Sequence, residues 1–214
     1  MPLDHLRSFN HVRFEDLSAN FDNGWAYQTV VDDFDYGETY FQRYDDLEST
    51  EIARSLNNFR RDLAQKYASS VLDFGIGSGT FLKNVTVEKY GYDINPLGIQ
   101  WLKENKLFLD PYQSDISQIT GFSFWDVLEH MKNPNEILAL LPQSSFSFIT
   151  MPIYQSLLEI HESKHYKPNE HVCYFTMDGF INYLGLCDFE ILEVSTKETK
   201  LGREGVVTFV CQKK

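Results

Sequence analysis

The chain has 214 residues, 43% of them hydrophobic, which is enough for one α/β domain with an N-terminal extension to bury a sizeable core. Nineteen basic and 31 acidic residues give a formal net charge of −12, which repels phosphate backbones and disfavours bulk nucleic-acid binding. The N-terminus lacks the apolar run of a signal peptide, and no later stretch approaches the length of a membrane span, so we expect a cytoplasmic protein without a membrane anchor. Three widely spaced cysteines among apolar neighbours, Cys173, Cys187 and Cys211, predict no disulfide framework.

The first part of the chain is predicted to contain little regular structure. As far as about residue 35 no hydrophobic period is sustained, and the turn signal Asp22-Asn23-Gly24 predicts a loop-rich segment. Tyr36, Tyr40 and Tyr44 would then share one face of a helix. They would either pack against the core or roof an active site, and both interpretations stay open.

The segment from Ser49 to Tyr67 is the clearest helix in the sequence. Ser49 or Thr50 can cap it, and an apolar stripe follows on one side. Its basic residues predict a solvated helix face; they are Arg54, Arg60, Arg61 and Lys66.

A buried strand over Val71 to Phe74 runs directly into a glycine loop. Gly75, Gly77 and Gly79 stand at alternate positions, which lets the backbone turn sharply and approach a ligand. The dinucleotide-binding fingerprint G-x-G-x-x-G also turns the backbone towards a ligand, but its glycines are spaced differently. Asp73, two residues before the first glycine, would repel a pyrophosphate but suits a ligand that carries an ammonium and a sulfonium.

The next predicted strand ends at Asp93, 20 residues after Asp73. Rossmann-like folds place at this position an acid that accepts both ribose hydroxyls. Lys106 to Tyr112 should hold a short or edge strand, because Pro111 removes a backbone donor. Asp115 follows and can cap a turn.

The stretch Gly121 to His130 predicts a fourth strand and its exit, with the sequence Trp125-Asp126-Val127-Leu128-Glu129-His130. Its carboxyl end lines the crevice where a donor and an acceptor would meet. Trp125 is expected to pack on the donor. Asp126, Glu129 and His130 are expected to supply polar atoms at the mouth of the crevice. His130 either acts on the substrate or bonds to the following loop.

The region from Ile153 to Tyr174 is rich in histidine and aromatic residues. His161, Glu162 and His165 match the H-E-x-x-H pattern of zinc proteases, but Pro168 would end the long helix which that site requires. We therefore expect no metal site.

The C-terminal part predicts two strands, Phe189 to Val194 and Gly205 to Cys211, joined by a polar turn as an antiparallel hairpin. A dehydrogenase would instead continue with parallel units.

Three matches fall in order along roughly residues 65 to 211: the glycine loop after Asp73, the acid Asp93, and the stretch Trp125 to His130. The stretch His165 to Thr176 is in addition similar to one found in many small-molecule methyltransferases. Together they resemble class I S-adenosylmethionine-dependent methyltransferases, in particular the small-molecule group that is ubiquinone-biosynthesis-like, with a methyltransferase domain of type 11/23. The short helix after the loop and the absence of a glycine pair before the fifth strand depart from the family pattern.

The resemblance implies a Rossmann-like three-layer α/β sandwich with a seven-stranded, mostly parallel sheet and a C-terminal antiparallel hairpin. It divides the chain into an N-terminal aromatic cap or lid, residues 1–48, and a methyltransferase domain, residues 49–214. S-adenosyl-L-methionine is the implied cofactor, and a small-molecule, sugar or nucleotide-linked group the implied acceptor. The implied cofactor residues are Asp73, Gly75, Gly77, Gly79, Asp93, Ile94, Asp115, Trp125 and Asp126. Among them, the resemblance offers Asp115 the alternative of facing the adenine amino group instead of capping a turn. The implied catalytic residues are His171, His130 and His165, with His171 the first choice and His165 the second for a base or orienting group.

Two other classes remain compatible with the sequence. A non-catalytic relative would bind the donor, or nothing, as a scaffold, and an NAD-dependent oxidoreductase is disfavoured by the glycine spacing and by Asp73. The acceptor atom and the oligomeric state are not specified by the sequence.

Overall fold

The computed structural model of the protein describes residues 12–29, 32 and 50–214. The expected boundary between residues 48 and 49 and the stripe Tyr36, Tyr40 and Tyr44 lie outside these residues. The strands are β1 (Val12–Phe14), β2 (Leu17–Asn20), β3 (Trp25–Gln28), β4 (Ser70–Phe74), β5 (Glu88–Tyr92), β6 (Gly121–Trp125), β7 (Phe146–Pro152), β8 (Cys173–Phe175), β9 (Phe189–Ser195) and β10 (Val206–Lys213). The α-helices are α1 (Glu51–Tyr67), α2 (Thr80–Asn84), α3 (Pro96–Glu104), α4 (Pro134–Leu140), α5 (Met177–Leu186) and α6 (Lys197–Lys200), and 3₁₀ turns cover Leu128–His130 and Leu157–Glu162.

The main sheet has the strand order β5-β4-β6-β7-β10-β9. The first four of these strands run parallel, whereas β10 is antiparallel to both β7 and β9. This arrangement confirms the expected Rossmann-like, mostly parallel sheet with a reversed C-terminal pair. Since parallel strands end at the same edge, the residues after β4, β5, β6 and β7 meet on one side of the sheet.

The expected strand count is wrong by one in the described part of the chain. The stretch from Lys106 to Tyr112 makes only a single parallel bridge, between Phe108 and Gly91. Asp110 then accepts backbone hydrogen bonds from Gln113 and Ser114 in a tight turn, and Pro111 has no N–H to continue a ladder. The main sheet therefore has six strands and a bridged edge rather than seven strands. The expected polar turn between the last two strands also contains a helical turn, α6.

Alternate side chains of β4 point to opposite faces of the sheet, and helices cover both. Val71 belongs to a cluster with Phe59 and Leu63 of α1. Leu72 packs in the opposite cluster, which includes Ile137 of α4 and Phe180 of α5. A sheet that is buried on both faces gives the three layers that the sequence predicts.

The N-terminal strands form a second, antiparallel sheet with the order β1-β2-β3-β8. The prediction of a loop-rich segment is therefore wrong for β1, β2 and β3, whereas the predicted turn Asp22-Asn23-Gly24 is confirmed between β2 and β3. These strands have only three or four residues each and are too short to show an alternating pattern. Their partner β8 lies far along the chain, where Trp25 pairs with Phe175.

All three cysteines are free. No helix of the described residues is both long and apolar enough to cross a membrane.

A close backbone approach joins the second sheet to α5. The carbonyl of Gly24 accepts hydrogen bonds from the N–H (2.8 Å) and the hydroxyl (3.1 Å) of Thr176, the residue that caps α5. A Cβ on Gly179 would lie 1.9 Å from that same carbonyl oxygen. Gly179 therefore has to be glycine for the two elements to meet.

We expect Gly179→Ala to lower the free energy of unfolding by about 3 kcal/mol, because the added methyl must displace backbone rather than a side chain. Gly185→Ala is the matched control on the same helix, since a Cβ there meets nothing within 4 Å. It should stabilise the protein by about 0.5 kcal/mol through helix propensity. Urea unfolding measures both changes, and equal effects of the two substitutions would contradict the close approach.

Candidate functional site

The glycine loop after β4 has left-handed backbone at all three glycines. Their φ angles are +63° at Gly75, +53° at Gly77 and +74° at Gly79, a region that side chains disfavour. A Cβ on Gly75 would lie 2.8 Å from Cγ2 of Val127, and one on Gly79 would lie 2.8 Å from the ring of Trp101. The loop is thus wedged between the exit of β6 and the helix α3.

Asp73 lies within β4 and is 1% exposed. The hydroxyl of Ser123 on the neighbouring strand donates to its Oδ1 at 2.6 Å. Burial raises the pKa of Asp73 to about 8, while Ser123 and the charge of Arg60 act in the opposite direction. The carboxyl is therefore poised to ionise when a cationic group binds nearby.

Asp93 follows β5 directly and lies beside the glycine loop. Its Oδ1 accepts the N–H of Asn95 at 2.8 Å. Burial raises its pKa, against the effect of backbone hydrogen bonds from Asn95, Ile76 and Ile94. The Ile94 side chain next to it is 67% exposed, an apolar surface at the same end of the strand.

Asp115 is set apart from these groups by its environment. It lies in an exposed loop and accepts the N–H of Ser117 at 2.9 Å, which lowers its pKa. This is the turn-capping role that the sequence left open. A contact with adenine remains a prediction for this residue.

Trp125, the last residue of β6, is 7% exposed. Its ring packs edge-on against Phe81 and beside Phe148, and the guanidinium of Arg60 lies 5.0 Å from its centroid. The ring is therefore part of the core beneath the loop, and its contact with a donor stays a prediction.

Asp126 belongs to a ring of four charged side chains that the sequence did not predict: Arg60, Asp126, Glu198 and Arg203. Its two carboxylate oxygens accept from Arg60 at 3.1 Å and from Arg203 at 2.8 Å. The same two guanidiniums bind Glu198, whose side chain is fully buried, at 2.7 Å and 2.5 Å. Burial alone would raise the pKa of Asp126, but the charges of Arg203 and Arg60 hold it well below its usual range.

This ring corrects the expectation for Arg60. Its side chain is only 13% exposed and points into the protein, because the buried Asp126 and Glu198 carboxylates need it as a partner. The carboxylate partner Glu198 lies 138 residues away in sequence, so no local pattern could have indicated it.

A cavity of about 290 Å³ opens next to this ring. Its lining is polar and contains Asp126, Glu129, His130, Pro152, Lys164, His165, Lys167, Glu170, His171 and Arg203. All three histidines named from the sequence therefore contribute to one cavity.

The imidazoles of His130 and His171 meet edge to face, with ring centroids 4.7 Å apart. Burial, together with the neighbouring His130, lowers the pKa of His171 to about 3, and burial also lowers the pKa of His130. His130 Nδ1 lies 2.8 Å from the carbonyl of Glu170. Both rings are accordingly neutral at physiological pH.

His165 lies at the edge of the cavity, where its Nε2 donates to the carbonyl of Glu204 at 2.7 Å. His161, the other histidine of the H-E-x-x-H pattern, bonds instead to Asp16 at 2.8 Å. The two rings thus serve different partners and do not form a zinc-protease site.

Glu129, one of the polar residues expected at the mouth of the crevice, lines the cavity. It is 1% exposed, and neither of its carboxylate oxygens has a hydrogen-bond partner in the described residues. Burial, with the nearby charge of Asp126, raises its pKa well above the usual value.

The second sheet holds one wall of the cavity in place. Gln28 of β3 accepts the N–H of Asn169 at 2.9 Å through its side chain and donates its own N–H to the carbonyl of Val172 at 3.0 Å. The N–H of Val172 donates in turn to the carbonyl of Glu129 at 2.7 Å. The segment that carries His171 is therefore fixed between β3 and the exit of β6.

A Rossmann-like sheet with a left-handed glycine loop after β4, an acid after β5 and a polar cavity at the exit of β6 defines an S-adenosylmethionine-dependent methyltransferase. Residues 41–194 match the family described as a methyltransferase domain. The match covers more than half of the chain, and the chain belongs to this family. No curated protein sequence matches it significantly.

Solved structures share the fold at low sequence identity. A chain of the Haloferax volcanii complex between the Trm112 methyltransferase activator and a methyltransferase superposes with a TM-score of 0.60, at 13% identity, over 80% of this chain and 93% of that chain. A methyltransferase of Thermotoga maritima gives 0.58, at 14% identity, over 83% of this chain and 97% of that one. Magnesium protoporphyrin IX methyltransferase of Synechocystis, with bound S-adenosylhomocysteine, gives 0.57, at 13% identity, over 84% and 96%.

S-adenosyl-L-methionine is the cofactor of this family, and the residues after β4 and β5 fit it. The positive φ angles of Gly75, Gly77 and Gly79 form a tight turn without side chains directly after β4. Asp73 and Asp93, both with a pKa raised by burial, provide carboxylates where a cation would offset the cost of ionisation.

We expect Gly75→Val and Asp93→Ala to abolish donor binding while the fold is kept, because one fills the loop against Val127 and the other removes the acceptor beside it. Calorimetric titration with S-adenosylhomocysteine measures the affinity, and circular dichroism checks the fold. Gly185→Ala is the control for an ordinary glycine. Unaltered affinity in both site variants would refute the assignment of the donor site.

The raised pKa of Asp73 predicts a pH effect on stability. As the pH rises from about 4 to about 8, the unfolded chain ionises this carboxyl while the folded protein keeps it protonated, so the free energy of unfolding falls. The loss is on the order of 1 kcal/mol per pH unit. Asp73→Asn cannot ionise and should gain stability relative to the wild type over this window. Urea unfolding at several pH values tests this, and parallel curves for the two proteins would contradict it.

Proposed function

We propose that this methyltransferase transfers the methyl group to an oxygen of a small, polar acceptor that binds in the cavity beside the glycine loop. The observation that carries the proposal is the contact between Gly75 and Val127, where an added Cβ would lie 2.8 Å from the valine side chain. Val127 stands between Asp126 and Glu129, which both line the cavity. The donor loop and the proposed acceptor cavity therefore share a wall.

The size and polarity of the cavity support a small polar acceptor. A volume of about 290 Å³ is at the low end of ligand pockets, and its lining offers charged and imidazole groups rather than an apolar surface. The lysines and arginine that reach it, Lys164, Lys167 and Arg203, would suit an acceptor that carries acidic or hydroxyl groups.

Neutral imidazoles favour oxygen as the acceptor atom. A hydroxyl must give up its proton as the new bond forms, and His171 presents an Nδ1 that is buried and has no partner in the described residues. An imidazole with a pKa of about 3 binds a proton weakly, so its role is to accept a hydrogen bond and orient the hydroxyl. His130 and His165 fix the geometry around it.

When bound, S-adenosylmethionine would supply a methyl group on a positively charged sulfur; the bond from carbon to sulfur would break as the bond to the acceptor oxygen forms, leaving a neutral thioether, and the hydroxyl proton would pass by way of His171 to solvent. The protein's own contribution is to align the acceptor and to exclude water from the cavity. We propose that residues 1–48 act as a cap, since Gln28 of this segment holds the wall that carries His171.

We expect His171→Asn to lower the turnover of a hydroxyl acceptor by about 100-fold or more and to leave donor affinity unchanged. The assay measures S-adenosylhomocysteine formed from a panel of small sugars, phenols, hydroxy acids and amines. His161→Asn is the control, because this histidine bonds to Asp16 and does not line the cavity. Wild-type turnover in His171→Asn, or a donor-binding protein that methylates only amines, would contradict the proposal.

A further inference from the structure

We propose that Glu129, His130 and His171 bind a divalent transition-metal ion in the wall of the cavity. One ligand atom of each residue lies within 4.8 Å of those of the other two. Binding of the ion does not depend on the proposed function, but its role in catalysis rests on the acceptor occupying this cavity. The sequence predicted no metal, because these residues come from segments that only the fold brings together.

The strongest observation concerns Glu129. Its side chain is 1% exposed, and both carboxylate oxygens lack a partner in the described residues, although buried polar atoms are nearly always hydrogen-bonded. The nearby guanidinium of Arg203 is already engaged by Asp126 and Glu198. A bound cation would satisfy these oxygens and remove the cost of burying them alone.

His171 provides a second, independent observation. The residue is 5% exposed, lines the cavity, and keeps an Nδ1 atom without a partner in the described part of the chain. Its backbone is fixed, since its carbonyl accepts the hydroxyl of Tyr174 at 2.6 Å. A neutral imidazole nitrogen held in this way is a ready metal ligand.

The hydrogen bond of His130 fits the same role. A carbonyl oxygen only accepts, so Nδ1 of the neutral ring carries the proton that it donates to Glu170 at 2.8 Å. The lone pair of the ring is then on Nε2. Histidines that bind metals use this arrangement, in which a carbonyl behind the ring fixes the tautomer and the orientation.

Two imidazoles and one carboxylate select the kind of ion. Zn²⁺ in catalytic sites and other transition metals of similar size accept this set, whereas Mg²⁺ and Ca²⁺ prefer oxygen ligands throughout. Three protein ligands leave a coordination position for an oxygen of the acceptor. In that state the ion, rather than Nδ1 of His171, would hold the acceptor hydroxyl and ease the loss of its proton.

A second group of the described residues has metal-ligand composition and serves as the internal control. Glu15, Asp16 and His161 also place ligand atoms within 4.8 Å of one another. There, however, the Asp16 oxygens already accept from Tyr166 at 2.5 Å and from His161 at 2.8 Å, and Glu15 is exposed. The Asp16 carboxylate is therefore satisfied without an ion, although Nδ1 of His161 has no partner in the described residues.

The test is titration of the chelator-treated full-length protein with ZnCl₂ alone, in competition with a chromogenic chelator. We expect one tightly bound ion per chain, and Glu129→Gln and His171→Asn should each weaken its binding at least about 100-fold. His161→Asn should leave the affinity unchanged. The proposal would be overturned by a wild type that binds no Zn²⁺ tightly, by unchanged affinity in the two site variants, or by loss of binding in His161→Asn.

Thermal unfolding with and without ZnCl₂ guards against variants that fail to fold. The ion should raise the melting temperature of the wild type and of His161→Asn but not that of Glu129→Gln or His171→Asn. An equal rise in all four proteins would count against the site.

Donor affinity, measured on the metal-free protein, separates this proposal from the proposed function. Loss of Zn²⁺ binding with intact binding of S-adenosylhomocysteine would remove the metal site alone. Intact Zn²⁺ binding in a protein that methylates no hydroxyl acceptor would keep the site and remove the function proposed for it.

Discussion

The ring of Arg60, Asp126, Glu198 and Arg203 ties together the parts of the chain that surround the cavity. Arg60 comes from α1, Asp126 from the exit of β6, and the other two residues from the connection between β9 and β10. Ion pairs in such a setting cost desolvation energy and contribute little net stability, but removal of one member leaves buried charges unpaired. The ring therefore acts mainly on geometry. The backbone at Asp126, where the ring is anchored, has φ of +59°, and Glu129 and His130 in the turn that follows line the cavity.

The order of the strands determines which residues form the glycine loop and which residues form the cavity. Residues after β4 and β5 build the loop and the acids that suit the donor, and residues after β6, together with the segment before β8, build the cavity. Because β4 and β6 are neighbours in the sheet, these two sets of residues meet at Gly75 and Val127. The proposed donor loop and the proposed acceptor cavity, which are separated in the sequence, are thus placed one side chain apart.

Local sequence was sufficient for the features that depend on backbone conformation or on position at the end of a strand. The glycine loop, the acid Asp93 and the stretch from Trp125 to His130 all lie where the pattern predicts, and so does the reversed C-terminal pair. Features that need partners distant in sequence could not be predicted in this way. The burial of Arg60 depends on Glu198, and the strands β1 to β3 depend on β8 for their pairing. Asp110 and Pro111 convert the expected third strand into a turn, because a single bridge to Gly91 cannot outweigh them.

The pairing of β3 with β8 also has a consequence for the order of folding. The side chain of Gln28 meets the hydroxyl of Tyr174 across a sequence separation of 146 residues. During synthesis the N-terminal strands must wait, with an unpaired edge, until most of the chain has left the ribosome. Closure of so long a loop is slow, so the second sheet should be the last element to assemble. The wall that carries His171 would then acquire its final position only at the end of folding. In a nascent or truncated chain, the glycine loop after β4 would form before the cavity is complete.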